Sequence, residues 1–380
     1  MVANAAVSSH ISVLDDIHRL QLIGYSLIFT AGLCLNVASL LIFLFYLKLK
    51  SVVAIYMCNL VMSDLLFTIS LPFRIYYYHK GEWPFGSFLC QVSGSLFQIN
   101  MYGSCIFLMC INLDRFVAIV YPLRWRHLRR PKVARLLCCV VWVLILTGSI
   151  PVALIHKTTP CIKENGTNSN FKQNEITVCF ESFSQHLWQG KLFGLVIFAE
   201  ILGFLLPLTS VTVCSIRMFH KLCQTRGTRS LRQEKTIRML VVNLVIFIIC
   251  FVPYNIILAT YGMIKANVIK TDSTLQASVR NALIITMLFA STNCTLDPLI
   301  YYFNTEGFKN TLKRIRRGQP WDFETGTLHT RATKVGFYKA ANVKQDSKQY
   351  PVKNSVAPCE DLPFASPKIF LSSSTEDSEM

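Results

Sequence analysis

The stretch VVAIYMCNLVMSDLLFTISLPFRIYYY, residues 52–78, decides the fold. A helix that crosses the hydrocarbon core of a bilayer takes about 20 predominantly apolar residues. This run exceeds that length, and among its residues only Asp64 and Arg74 are charged. Working outward, six more runs of the same kind, each bounded by charge or turn residues, cover 22–47, 88–120, 133–155, 192–219, 237–264 and 282–303. Composition agrees: 52% of the 380 residues are apolar and 16% are charged, more apolar surface than a soluble domain hides. The expected architecture is an all-α membrane protein. It has a segment outside the membrane at 1–19, a seven-transmembrane helix bundle at 20–304, a short amphipathic eighth helix at 305–317 and a disordered tail at 318–380.

Residues 1–19 contain neither an apolar core nor a small-residue cleavage site, so the first helix is expected to act as signal and anchor. An odd number of spans puts the two ends on opposite sides, and lysine and arginine density in short loops marks the cytoplasm. Lys48 and Lys50 follow the first span, and Arg124, Arg126, Arg129, Arg130 and Lys132 follow the third. Lys221, Arg226, Arg229, Arg232 and Lys235 follow the fifth, and Lys313, Arg314, Arg316 and Arg317 follow the seventh. The opposite loops mix Lys80 with Glu82 and Lys163 with Glu164. The amino end is therefore expected outside and the tail inside, in a multi-pass protein of the plasma membrane. The net charge of +17 sits beside spans, where topology and anionic inner-leaflet lipids account for it; no nucleic acid is implied.

Most of the 14 cysteines fall inside apolar spans and read as small buried thiols. On the outer side stand Cys90, Cys161 and Cys179, in a compartment that favours disulfides. One bridge is expected. Cys90 with Cys179 would pin the second outer loop across the mouth of the bundle, while Cys161 is either free or a competitor for Cys179. Asn165-Gly166-Thr167 is a glycosylation acceptor in the same loop. Asn293-Cys294-Thr295 has the same pattern inside the seventh run and is a false match.

Ionisable side chains within spans are costly unless they face a partner or water, so each is a functional hypothesis. Asp64, Asp114, Arg115, Glu200 and Asp297 are the main cases. Asn36, Ser104 and Asn293 are polar company for Asp64 and Asp297. Two readings stand side by side: a network that only holds the helices together, and a cation or proton site that biases a conformational switch. Pro72, Pro151, Pro207, Pro253 and Pro298 each remove a backbone donor; Pro253 and Pro298 are the better hinges, because polar or aromatic groups adjoin them.

The set Asn36, Asn59 to Asp64, Asp114-Arg115-Phe116, Trp142, Pro207, Cys250-Phe251-Val252-Pro253 and Asp297-Pro298-Leu299-Ile300-Tyr301, with Cys90 and Cys179, resembles the rhodopsin-like (class A) G-protein-coupled receptors helix by helix. The resemblance implies that Arg115 meets the G protein in the open state, that Asp114 restrains it at rest, and that Phe251, Pro253, Asp297, Pro298 and Tyr301 are moving parts. Some positions depart from the family pattern. Phe251 stands in place of tryptophan and Asp297 in place of asparagine, both typical of the delta branch for nucleotides and lipids. Ser215 stands in place of a tyrosine and Gln233 in place of an acid. Residues 51–60, 100–109, 126–131 and 179–184 look like lysophosphatidic acid receptors within that branch. The agonist this implies is lysophosphatidic acid or a close lysophospholipid, and the implied partners are heterotrimeric G proteins of the q and twelve/thirteen classes.

The charges of the outer half agree with an anionic ligand. Arg74, Lys265, Arg280 and, more weakly, Arg19 are basic candidates; arginine offers paired donors to phosphate oxygens. Interfacial snorkelling is the competing account for the three near span ends, whereas Arg74 lies one step past Pro72 into the bundle. Gln98, Tyr102 and Tyr254 complete the candidate site, with Phe97 beside them for an acyl chain. No acid occurs between Cys90 and Asp114, which argues against an amine ligand, and no lysine lies in the seventh run, which excludes a retinal Schiff base. Asn255 and Leu258 stand where nucleotide receptors often carry a histidine and a basic residue. A delta-branch receptor for another anionic ligand (a nucleotide, a peptide or a different lipid) is the alternative reading. Glu200 pairs within the bundle or meets a ligand hydroxyl.

At the inner face Phe308, Leu312 and Ile315 recur at helical spacing opposite basic residues, as in a helix lying on membrane lipid. The cluster at 372–377, SSSTED, is a phosphorylation site that recruits arrestin or is simply solvated; the sequence leaves both open. No internal repeat points to a transporter. Isolated His79, His156 and His186 assemble no catalytic set, and no metal spacing or cofactor is implied.

Overall fold

The computed structural model describes residues 2–125, 127–155, 158–165, 172–179, 188–224 and 231–317. The expected tail at 318–380, with its serine-rich cluster, lies outside them, as do Arg126, His156, His186, Arg226 and Arg229.

Helix α1 spans Val2–Leu41 and ends in a π turn, Ile42–Tyr46. It is followed by α2 at Val52–Lys80, α3 at Gly86–Val120 and α4 at Pro131–Ile155. A hairpin of β1, Thr159–Asn165, and β2, Lys172–Val178, comes next. Helix α5 joins four segments, Trp188–Leu192, Phe193–Ala199, Glu200–Leu205 and Leu206–Gln224, of which the first and third are π turns. Helix α6 is Leu231–Lys265, α7 is Ser273–Ser291 continued by Asn293–Asn304, and α8 is Glu306–Arg316. Among the described residues seven helices are long and apolar enough to cross a membrane, and they are α1 to α7.

The helices overrun the apolar runs that announce them. Helix α6 starts at Leu231 rather than near 237, and α7 at Ser273 rather than near 282. Hydropathy marks the stretch in contact with lipid, whereas backbone hydrogen bonding carries a helix beyond it. Arg280 is consequently two turns inside α7 and not at its start. Local signals set other ends. The Ser51 hydroxyl accepts from the Ala54 amide at 3.2 Å and caps α2. Gly81, at φ 73°, closes the same helix with its amide on the Tyr77 carbonyl, a left-handed position that suits glycine.

The bundle closes into a ring. Helix α1 packs on α2, α2 on α3, α3 on α4 and α5, α6 on α7, and the second part of α7 returns to α1 and α2. Helix α4 shows how the sequence divides inside from outside. Ala134, Cys138, Val141 and Ile145 form a buried stripe at helical spacing, while Leu136, Val143 and Leu154 are 67%, 60% and 62% exposed. Apolar side chains turned outward on this scale mark a lipid-facing surface.

The Cys90–Cys179 bridge is formed, with its Cα atoms 5.9 Å apart. It sits in a small core with Tyr77, Trp83 and Val178. Trp83 fastens the loop there: its amide donates to the Thr177 carbonyl at 2.7 Å and its indole Nε1 to the Gly86 carbonyl at 2.8 Å. Cys161 lies in β1 opposite Ile176. Asn165 ends β1, and the Gly166-Thr167 that completes its acceptor motif is outside the described residues. Asn293 is fully buried, out of reach of any glycosylation.

The bridge spans a sequence separation of 89, a length at which chain entropy alone assigns a disulfide about 4–5 kcal/mol. Cys90→Ser and Cys179→Ser should each lower the apparent melting temperature of the detergent-solubilised protein by roughly 5–10 °C. The double variant should lose no more than either one, because both remove the same bond.

Candidate functional site

Helix α2 carries Arg74 into the bundle near the end that bears the disulfide. The residue is 3% exposed. A terminal guanidinium nitrogen donates to the Ser93 carbonyl at 3.1 Å, and the guanidinium carbon stands 5.9 Å from the centre of the Phe97 ring. Phe97 meets Tyr254 edge-on with centroids 5.3 Å apart, and Tyr25 stacks on Tyr78 at 5.7 Å. The phenols of Tyr25, Tyr78 and Tyr254 all lie within electrostatic reach of Arg74. Arg74 is therefore no interface anchor. It is a cation enclosed by aromatic faces and hydroxyls contributed by α1, α2, α3 and α6.

A second basic group sits at the same end. Lys265 and Arg280 line a cavity of about 240 Å³ together with His18, Tyr261 and Asn281. The Lys265 ammonium stands 5.6 Å from the centre of the Tyr261 ring. Two of the predicted basic residues thus share one cavity, on facing helices. Arg19 is exposed and does not line it; its neighbour His18 takes that place. Gln98 is half-buried on α3 and makes no side-chain hydrogen bond among the described residues. Tyr102 is half-buried and Tyr254 is 3% exposed.

Midway through the bundle the internal polar network is assembled differently from the sequence expectation. Asp64 receives a hydrogen bond from the Asn100 amide at 2.8 Å and one from the Tyr301 hydroxyl at 3.4 Å, and Asp297 sits beside it. Asn36 donates instead to the Cys294 carbonyl at 2.7 Å and the Gly32 carbonyl at 3.0 Å. The Ser104 hydroxyl and the Asn293 amide group are buried without a hydrogen-bond partner among the described residues. Asn100 escaped the sequence reading although it lies one helical turn before Ser104, on the same face of α3. Trp142, on α4, donates to Asn59 at 2.8 Å and ties α2 to its neighbour.

The predicted moving parts are packed rather than loose. Phe251 is fully buried against Phe247, with centroids 5.2 Å apart. The Tyr301 ring is wedged against Phe43 and Phe308 at 5.4 and 5.9 Å, so α8 is pinned to α1 and α7 by aromatic contact. Pro253 lies within α6 and Pro298 within the second part of α7. The interruption at Thr292 comes six residues before Pro298, close to Asn293 and Asp297.

At the opposite end Asp114 accepts from Arg129, Nε to Oδ1 at 2.9 Å and a terminal nitrogen to Oδ2 at 3.4 Å. The carboxylate is 4% exposed and the guanidinium 35%. Arg115 is half-buried next door, within reach of both charges, and the Phe116 ring packs edge-on against Tyr121 at 5.8 Å. The sequence did not predict that a loop arginine would take the acid's two oxygens. Arg129 was visible there only as one of several loop cations.

Comparison with known proteins matches residues 35–301 to the 7 transmembrane receptor (rhodopsin family) model. The chain is 51% identical to lysophosphatidic acid receptor 5 of Mus musculus over 323 residues, covering 83% of this chain and 85% of that one. It is 38% identical to lysophosphatidic acid receptor 4 of Homo sapiens over 80% of each chain, and 37% identical to lysophosphatidic acid receptor 6 of Homo sapiens over 85% of this chain and 92% of that one. A family match that takes in every apolar helix except the first part of α1, relatives that share most of the chain, and a ring of seven spanning helices agree: this protein belongs to the rhodopsin family of seven-transmembrane receptors.

Proposed function

We propose that the chain is a plasma-membrane receptor for an anionic lysophospholipid, lysophosphatidic acid above all, and that it passes the binding signal to heterotrimeric G proteins of the q and twelve/thirteen classes. The observation that carries the ligand class is the burial of Arg74 inside the bundle. A cation held within a span costs several kcal/mol on roughly any scale, and a planar guanidinium matches phosphate oxygens with paired donors. Lys265 and Arg280 add positive charge at the same end, which suits a headgroup of more than one negative charge. Tyr25, Tyr78, Phe97 and Tyr254 offer an apolar and aromatic wall for an acyl chain. The chain's similarity to lysophosphatidic acid receptors, 51% identical in one case, points the same way. Asn255, which donates to the Phe251 carbonyl at 2.8 Å, and Leu258 supply no charge for a polyphosphate, so a nucleotide fits less well.

The basic loops support an amino end outside the cell, with Asn165 as a glycan site, Gln98 and Tyr102 lining the ligand site, and Arg19 at its rim as the weakest contact. The same orientation supports Asp114, Arg115 and Phe116 as the G-protein face, and the serine-rich tail is read as a site for arrestin. Agonist works by binding one arrangement of the helices better than the other. The Asp64, Asp297 and Tyr301 group, with Asn36, Ser104 and Asn293 around it, stands between the two faces and is the element that changes partners.

Receptor-expressing cells should answer lysophosphatidic acid with calcium and Rho signals that untransfected cells lack, and should ignore nucleotides; the reverse pattern would replace the ligand. Losing a charge-assisted contact costs about 1.5–3 kcal/mol, so Arg74→Ala should weaken lysophosphatidic acid potency about 10–100-fold at equal surface expression. Arg74→Lys should fall between, and an unchanged potency would remove Arg74 from the site. A separate expectation concerns the G-protein face, where Arg129 competes with Arg115 for Asp114. Arg129→Ala returns the carboxylate to Arg115 and should lower agonist-independent nucleotide exchange about fivefold, or ~1 kcal/mol; an increase would refute the competition.

A further inference from the structure

Glu200 has no role in the account so far, and its setting is that of a ligand contact. It is 6% exposed within an apolar helix, and its Oε1 has no hydrogen-bond partner among the described residues. A carboxyl group left so in a span is costly and is retained where it meets something polar. The backbone makes the same point independently. Glu200 opens the π turn Glu200–Leu205; such a turn inserts an extra residue, re-aims the side chains on either side, and recurs at functional sites. The turn is fitted to α3, because a Cβ added at Gly203 would collide with the Tyr102 ring.

The neighbours say what the carboxyl group faces. Tyr102 and Cys105 of α3 and Tyr254 of α6 lie within electrostatic reach of it. Tyr254 is also within reach of Arg74, through the contact chain in which Arg74 covers Phe97 and Phe97 meets Tyr254. A buried cation and a buried acid thus flank one aromatic pair. A ligand that spans them presents an anion to the first and a hydrogen-bond donor to the second. In a lysophospholipid the free hydroxyl of the glycerol backbone is that donor.

We propose that Glu200 takes the hydrogen bond of the glycerol hydroxyl and thereby selects hydroxyl-bearing lysophospholipids over lipid phosphates that lack it. This rests on the lysophospholipid reading above. A site built to hydrogen-bond a hydroxyl rejects the analogue without one, since the analogue leaves the buried acceptor unpaired.

The test compares two probes on the full-length receptor in cells: 1-oleoyl lysophosphatidic acid, and the oleoyl ester of propanediol phosphate, which has the same backbone length and no hydroxyl. The unaltered receptor should prefer the first about 10–100-fold in calcium potency. Glu200→Leu should bring the two probes within about threefold by weakening the response to the first. Glu200→Gln keeps the volume and an acceptor oxygen, so it should retain part of the preference; it carries the readout if the leucine variant does not reach the surface. A preference that survives in Glu200→Leu, one that is undiminished in Glu200→Gln where only that variant reaches the surface, or one absent from the unaltered receptor overturns the assignment. Silence of the unaltered receptor toward both probes overturns the lysophospholipid reading itself, and this inference with it.

Discussion

Hydrocarbon cannot hydrogen-bond, and that constraint governs every other feature of this molecule. Each backbone group must be satisfied within its own helix, and each polar side chain must find another inside the bundle. Seven helices are one way to meet the first demand. The second produces the internal architecture: Asn100 and Tyr301 turn to Asp64, Asn36 to the Cys294 carbonyl, and Trp142 to Asn59. These bonds join α2 to α3, α4 and α7, and α7 to α1, so the helix whose sequence announced the fold is also the one that three others are tied to directly. Ser104, Asn293 and Glu200 are among the groups with a buried polar atom that lacks such a bond among the described residues.

Two departures from regular helix occur where polar chemistry sits. The π turn in α5 begins at Glu200, and the interruption of α7 at Thr292 is followed by Asn293 and Asp297. Helices bend or bulge where a ladder bond is lost or a residue inserted, and those places have more freedom to rearrange than regular turns around them. Aromatic packing then limits that freedom. Tyr301 is held between Phe43 and Phe308, so any movement of the second part of α7 must be passed to α8 and the end of α1.

How much of this was written in the sequence depends on whether a property is local. The spans were legible, because residence in lipid is read from a window of adjacent side chains. Arg74 stood out for the same reason: one charge in an apolar run is visible by itself, and its depth past Pro72 argued against the interface. Partner choice was not legible. That Arg129 rather than another loop cation reaches Asp114, and that Asn100 rather than Ser104 reaches Asp64, depends on how loops and helices are set against one another along their axes. The ends of α6 and α7 were misplaced because hydropathy measures contact with lipid, and the polar first turns of α7 continue the helix beyond it. Glu200 was visible as an anomaly without an explanation, since the π turn that orients it has no signature in the residues themselves.

The distribution of charge gives the two faces different tasks. At the disulfide end Arg74, Lys265 and Arg280 gather positive charge, which in the reading proposed above an anion supplied from outside balances. At the other end Asp114 is already engaged by Arg129, whose side chain is 35% exposed, a contact that water reaches. In that reading the first face gains by binding and the second by exchanging one partner for another. Asp64, Asp297 and Tyr301 stand between them, two acids and one hydroxyl in a space that admits more than one pattern of hydrogen bonds. On the proposed reading, a change at either face favours one pattern over the other, and by linkage the preference acts in both directions. The stability of the bundle and its capacity to switch therefore draw on the same few buried polar groups.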